Sequence, residues 1–259
     1  MKPSIEGTAD GLDECDRNEY RSIIEPLATH FGKLIEEILG PIQHIPRHPL
    51  LIATFGAMAL SSAAAFVRSH FKGTRARALF AGVSTHSILP LESTASAAVG
   101  LLLLAAGHSG GWPILQGGAQ SLTNLLVRHL EELGGTVVTG HEVTRIRDTD
   151  LVLADVTPRQ LLRMEGLDFP DHYIERLRRF RYGAGAFKID YALSCAIPWT
   201  AKECFRAGTV HIGGSFEEIV EAERTLTSKR PFVLLGQPTL FDPHRAPAGQ
   251  HIAWAYCHI

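Results

Sequence analysis

Hydrophobic positions along this chain change their period twice. From residue 1 to about 107 they recur every three or four places, the spacing of helices with one buried face. Leu27, Phe31, Leu34, Ile35 and Ile38 make one such face. Pro26 suits the first position of that helix, where a missing N–H costs nothing, and Gly40-Pro41 ends it. A proline-rich link, Pro41 to Pro49, leads into an alanine-rich stretch, Leu50 to Val67, without a charged residue. That stretch has the length of a membrane-crossing helix, but Thr54, Gly56, Ser61 and Ser62 moderate its hydropathy. Ser93 to Gly107, with its run Leu101 to Leu104, is too short to cross. Both are read as buried core helices, with a surface that dips into lipid as the other reading. A basic patch, Arg68 to Arg77, separates them, and helical sequence resumes from Thr74 and from about Leu91.

Between 108 and 166 the pattern changes. Gly107, Gly110, Gly111, Gly117 and Gly118 crowd a short loop. Leu122, Leu125, Leu126, Leu130 and Leu133 then predict an amphipathic helix that Gly134-Gly135 closes. Val137-Val138, Val143 to Ile146 and Leu151 to Ala154 are expected as short strands. Thr157-Pro158 opens another helix, threonine as the cap and proline in the first turn. Such alternation is of the α/β kind.

From 167 to 259 the period is mostly two. Phe187 to Leu193 alternates apolar and polar, which predicts a half-solvated strand. Thr209 to Ile212, Phe232 to Leu235 and Ile252 to Tyr256 are further strands, and Ser215 to Leu226 a helix with an acidic middle. A mixed or antiparallel sheet is the simplest outcome.

Composition narrows the function classes. The 259 residues are 45% hydrophobic and 20% charged, with a formal net charge of -2. That balance suits a folded globular protein and gives no global field for nucleic acid. Cys15, Cys195, Cys204 and Cys257 form no C-x-x-C pair, so neither a zinc site nor a disulfide framework is expected. The polar, acidic N-terminal stretch does not resemble a secretory signal. A cytoplasmic location is expected, with membrane association through the apolar helices as a variant.

Three local patterns carry candidate chemistry. Gly107-His108-Ser109-Gly110-Gly111 matches the G-x-S-x-G nucleophile elbow, and Asp242 and His251 follow in the order of a hydrolase triad. The run before it favours helix over strand, and Trp112-Pro113 interrupts the helix that should follow, so Ser109 is read first as a turn residue. The histidines, including His44, His48 and His251, lack an H-E-x-x-H pattern and no metal centre is expected. Arg176, Arg178, Arg179 and Arg181 lie beside Tyr173, Leu177 and Phe180 at helical spacing. They are read as a solvated face, with a phosphate contact as the alternative. Gly117-Gly118, ahead of a helix, suits an anion site and equally a tight turn.

The stretch from Gly111 to Pro158, a GG pair, a leucine helix, GG and E-V-x-x-I, resembles the flavin-domain core of phytoene desaturase-like and amine oxidase-like flavoproteins. Pro46-Arg47-His48-Pro49, Ala81-Gly82 through His86, Ala184 to Asp190, Gly208 to Gly214 and Arg245 to Gly249 are similar to one bacterial branch of the phytoene desaturase-like proteins. The resemblance spans nearly the whole chain. It implies FAD and hydride transfer from a lipophilic substrate to the flavin, which carries the chemistry. It implies cofactor contacts at Gly117, Gly118, Glu142, Val143, Asp155, Thr157 and Pro158, with the Val143 backbone at the adenine. No catalytic side chain is implied.

The expected fold class is therefore α+β with an α/β middle. Residues 1–107 would be a helical cap, 108–166 a partial FAD-binding α/β segment and 167–259 a mixed β-sheet substrate domain. The G-x-G-x-x-G unit that grips the cofactor diphosphate is not among these residues. Two consequences are expected: a second chain that supplies the rest of the flavin domain, or a non-catalytic remnant that keeps an apolar ligand cavity without flavin. A serine hydrolase built on Ser109 is the third reading.

Overall fold

In the computed structural model, residues 1–41, 43–147, 151–225 and 228–259 are described. Seven helices come first: α1 (Ile5–Asp10), α2 (Arg17–Thr29), α3 (Phe31–Leu39), α4 (Pro49–Ala59), α5 (Ala63–His70), α6 (Thr74–Ser84) and α7 (Ser96–Ser109). Then follow α8 (Ala119–Glu132), α9 (Pro158–Leu161), α10 (Asp171–Arg178), β1 (Ala186–Leu193), β2 (Val210–Ile212), α11 (Phe216–Thr225), β3 (Val233–Gly236) and β4 (His251–His258). Residues 1–118 and 184–259 form one compact unit, and 119–183 form another. Helices with a small antiparallel sheet make the whole α+β.

In the first unit α7 is the central helix. It buries Ala97, Leu101, Leu104 and Ala105, and α2 and α6 lie against it. Small residues permit that approach. A Cβ on Gly100 would stand 2.2 Å from Ser84 Oγ and 3.1 Å from the Phe80 ring. At the far end of α7, the Tyr20 hydroxyl meets His108 Nε2 at 2.7 Å, while His108 Nδ1 faces the Pro3 carbonyl at 3.2 Å. The two partners fix the tautomer: Nδ1–H donates to the carbonyl and Nε2 accepts from the phenol.

Pro26 departs from its expected place. It lies inside α2, not at a helix start. An interior proline costs about 3 kcal/mol, but Ile23, Ile24 and Leu27 are buried on the same helix, and that face holds it together past the proline. The chain then breaks at His30 and restarts as α3.

The uncharged stretch Leu50 to Val67 is likewise two helices, α4 and α5, meeting at 96°. Ser62 caps α5 by accepting from the Ala65 N–H at 3.1 Å. Ser96 Oγ accepts from Ala63 N–H at 2.8 Å and donates to the Ser93 carbonyl. These bonds close the break between the helices. α5 buries Ala63, Ala64, Phe66 and Val67, as expected of a core helix, whereas α4 buries only Phe55 and Ala59. Among the described residues no single helix is long and apolar enough to cross a membrane.

The sheet has the order β1-β4-β3-β2, antiparallel throughout. Its strands lie where the period-two runs predict them, and α11 lies where the helix is expected; Leu226 is outside the described residues. The register assigns the faces. Leu234 opposes Tyr256 and Gly236 opposes Trp254, so His211, Leu234, Trp254, Tyr256 and His258 share one face. Leu234, Trp254 and Tyr256 pack into the helical core. The apolar row of β1, Phe187, Ile189 and Tyr191, lies on the other face, opposite Cys257, Ala255 and Ala253. The alternation in β1 matches its sequence, but its apolar side points away from the helices.

In the second unit, α8 ends at Glu132 and the chain turns at Gly134, whose φ of +85° suits glycine. The expected strands at Val137-Val138, Val143 to Ile146 and Leu151 to Ala154 do not form; among the described residues the pairing here is one parallel bridge, Arg145 with Glu165. A strand is stabilised by its neighbours more than by its own sequence, and beyond that single bridge these runs pair with no strand among the described residues. Leu122, Leu125, Leu126, Leu130 and Leu133 are exposed along α8.

Candidate functional site

Four places hold candidate functional side chains. The first is the turn before α8. Gly117 and Gly118 have φ of +76° and +87°, so glycine is required at both. Gly117 N–H donates to Asp242 Oδ2 at 2.6 Å, and Asp242 is buried. A Cβ on Gly118 would stand 2.9 Å from the Arg245 guanidinium. Asp242 and Arg245 belong to a turn between β3 and β4, far away in sequence, and nothing in the sequence pairs them with Gly117-Gly118.

The second place is the start of α9. Thr157 and Gln160 form a capping box, with Thr157 N–H donating to Gln160 Oε1 at 3.0 Å. Pro158 occupies the first turn as expected. Tyr182 accepts from the Arg159 N–H at 3.3 Å, and the Arg159 guanidinium lies 4.8 Å from the centre of its ring. A side-chain hydrogen bond with Thr157 lowers the Tyr182 phenol from its ordinary pKa. Tyr182, which the sequence pattern does not single out, thus contacts both Thr157 and Arg159. Glu142, Val143 and Asp155 are exposed; Thr144 and Ile146 pair with the Glu165 backbone.

The third is the outer sheet face. It carries Val210, Ile212, Val233, Leu235, Ala253, Ala255 and Cys257, continued on β1 by Phe187, Ile189 and Tyr191. Phe187, Ile189, Tyr191 and Ile212 are exposed, and most of the rest are half-buried. An antiparallel sheet with one solvated face ordinarily turns polar residues outward. Here the outer face is as apolar as the inner one.

The fourth is a buried polar cluster on the inner face. His258 Nδ1 meets Glu223 of α11 at 2.8 Å. The His86 and His211 rings stand 5.3 Å apart, and Phe232 packs edge-on against His211. Burial, then the nearby His86, pushes the His211 imidazole down to about 4. Burial and His258 lower His86 in the same sense. Among the described residues, no three His, Cys, Asp or Glu side chains converge as metal ligands.

A comparison with known proteins finds no matching family model, no matching curated sequence and no matching solved structure. Ser109 is the last residue of α7, not a strand-to-helix turn. His251 pairs with Thr239 at 3.0 Å and Asp242 with Gly117, so neither is aligned behind the Ser109 hydroxyl. For a flavin dinucleotide, the Gly117 turn does not fit the diphosphate. The Gly117 N–H that an anion would use is already taken by a carboxylate, and that carboxylate repels phosphate.

Proposed function

We propose that this chain contributes the substrate side of an FAD-dependent oxidoreductase of phytoene desaturase-like type, with a lipophilic small molecule lying on the outer face of the sheet. The observation that carries the reading is that face: a continuous apolar surface from Ile212 to Tyr191, formed by rigid strands and turned away from the helical core. Ligand sites are mostly apolar with few polar groups, and His251 is the one ionisable imidazole on this face. The sequence resemblance adds the redox class. FAD, when bound, supplies the hydride acceptor. In this reading the grip on its diphosphate comes from polypeptide other than these residues, such as a second chain.

A second reading, an apolar-ligand module without flavin, is favoured by one specific observation. Asp242 fills the anion contact expected at Gly117 with a carboxylate of its own.

One experiment addresses both. The purified chain is titrated with a fluorescent polyene fatty acid and, separately, with FAD. The proposal expects saturable polyene binding that Ile189→Ser and Ile212→Ser together weaken about tenfold. It also expects FAD to bind, seen by flavin absorbance after gel filtration, only when a phytoene desaturase-type N-terminal segment is supplied. Polyene binding unchanged in the double variant would sink the substrate assignment. Polyene binding with no FAD under either condition would favour the module.

A further inference from the structure

A second apolar surface lies at the corner between α3 and α4. Leu39 ends α3, Ile45 stands in the link and Leu50 opens α4; they are 77%, 91% and 83% exposed. These are the most exposed large aliphatic side chains of the first unit. The corner is built rather than loose. Glu37, itself buried, accepts from the His48 N–H at 2.8 Å and pairs with His44 Nε2 at 2.6 Å, and Pro46 and Pro49 restrict the backbone between.

The surface continues along α4. Leu50, Ala53, Thr54, Ala57 and Leu60 are all exposed and recur at helical spacing, so they form one outward stripe. The Thr54 hydroxyl donates back to the Leu50 carbonyl at 2.9 Å, which leaves its methyl group on that stripe. The opposite side packs on the core through Phe55 and Ala59. A helix that is apolar on every side is ordinarily buried on every side. α4 is buried on one.

Charge separates the occupants. On α3, Lys33 and Glu36 offset each other. From Ile38 to Leu91 the chain contains no Asp or Glu, and Arg47 stands in the link beside Ile45 without an ion pair among the described residues. An apolar ridge that carries Arg47 and no acid of its own, the neighbouring Glu37 being paired with His44, is complementary to a lipid surface with anionic headgroups. It also lacks the aromatic anchors that protein interfaces favour.

We propose that the α3–α4 corner docks on a bilayer surface carrying anionic lipid, with Leu39, Ile45 and Leu50 entering the acyl boundary and Arg47 at the headgroups. The inference does not depend on the flavin reading.

Sedimentation of the full chain with vesicles tests it. Phosphatidylcholine vesicles are compared with vesicles containing phosphatidylglycerol. Binding is expected to the second and to be weaker on the first. Ile45→Asp with Leu50→Asp should lower the affinity at least about tenfold, with helix content and melting temperature unchanged because both sites are exposed. Arg47→Glu should weaken binding to the anionic vesicles only. Equal binding to both vesicle types, or none to either, overturns the proposal. So does a dimer, detected by light scattering, that the Ile45→Asp, Leu50→Asp variant disrupts.

Discussion

His258 on β4 and Glu223 on α11 meet at 2.8 Å with side chains only 4% and 3% exposed. This contact ties the sheet to the helix that crosses its inner face. Without Glu223 the buried His258 ring nitrogen loses its partner, and a buried polar group left unsatisfied costs about 1–3 kcal/mol. Glu223→Ala is therefore expected to lower the urea-unfolding free energy by about 1–3 kcal/mol, and Glu223→Gln, which keeps an acceptor oxygen, by less. A loss below about 1 kcal/mol for the alanine variant would show that the contact does not hold the layers together.

His211 gives the fold an acid limit. Its folded pKa, about 4, lies below the ordinary 6.5. The unfolded chain therefore binds a proton that the folded one refuses, so stability is complete above about pH 6.5 and falls as pH drops toward 4. The shift corresponds to about 3 kcal/mol at most. Unfolding measured between pH 7 and pH 4 should show this slope, and His211→Phe should flatten part of it. An imidazole titration near the ordinary value would contradict the prediction.

His44 behaves in the opposite sense. Its Nδ1 faces the Pro41 carbonyl and its Nε2 faces Glu37, so both ring nitrogens meet acceptors. Only the imidazolium satisfies both. The hydrogen bond to Glu37 raises the His44 pKa, and the same bond lowers that of Glu37. The His44 contribution is present below pH 6.5 and is lost as pH rises through the raised value. The Glu37 contribution is present above 4.5 and is lost as pH falls through the lowered one. NMR should place the His44 titration above the ordinary histidine range, and Glu37→Gln should bring it back down.

Gly100 sets the distance between α6 and α7. Gly100→Ala drives a methyl into Ser84 Oγ and the Phe80 ring, at a cost of about 1–3 kcal/mol for overpacking. Adding Ser84→Ala should recover part of that loss in thermal unfolding. Equal losses with and without the second change would place the strain elsewhere.

How much of this was legible in the sequence depends on the range of each interaction. The four strands and α11 appear where period and turn residues predict them, since each run carries its own signal and each found a neighbour. Val137-Val138 and Leu151 to Ala154 carry a similar signal and form no strand, because pairing is decided by a partner that a run does not contain. Pro26 misled for a related reason: burial of Ile23, Ile24 and Leu27 outweighed a local rule. The cluster of His86, His211, Glu223 and His258 had no sequence signal, as its members come from four separate elements or turns. Asp242 stands in the sequence order of a hydrolase triad but holds Gly117 instead. Ile45 and Leu50 read as link and core; only the three-dimensional structure exposes them.

The order β1-β4-β3-β2 has a consequence for synthesis on the ribosome. β4 lies in the interior of the sheet, yet it is the last of the four strands to be translated. Until residues 251–258 leave the exit tunnel, β1 has no partner and β3 offers a bare hydrogen-bonding edge. The seven N-terminal helices can settle first, while the sheet closes in one late step. A nascent chain stalled before His251 would therefore present two sticky strand edges to its neighbours, which marks this interval as the one in which a chaperone is most useful.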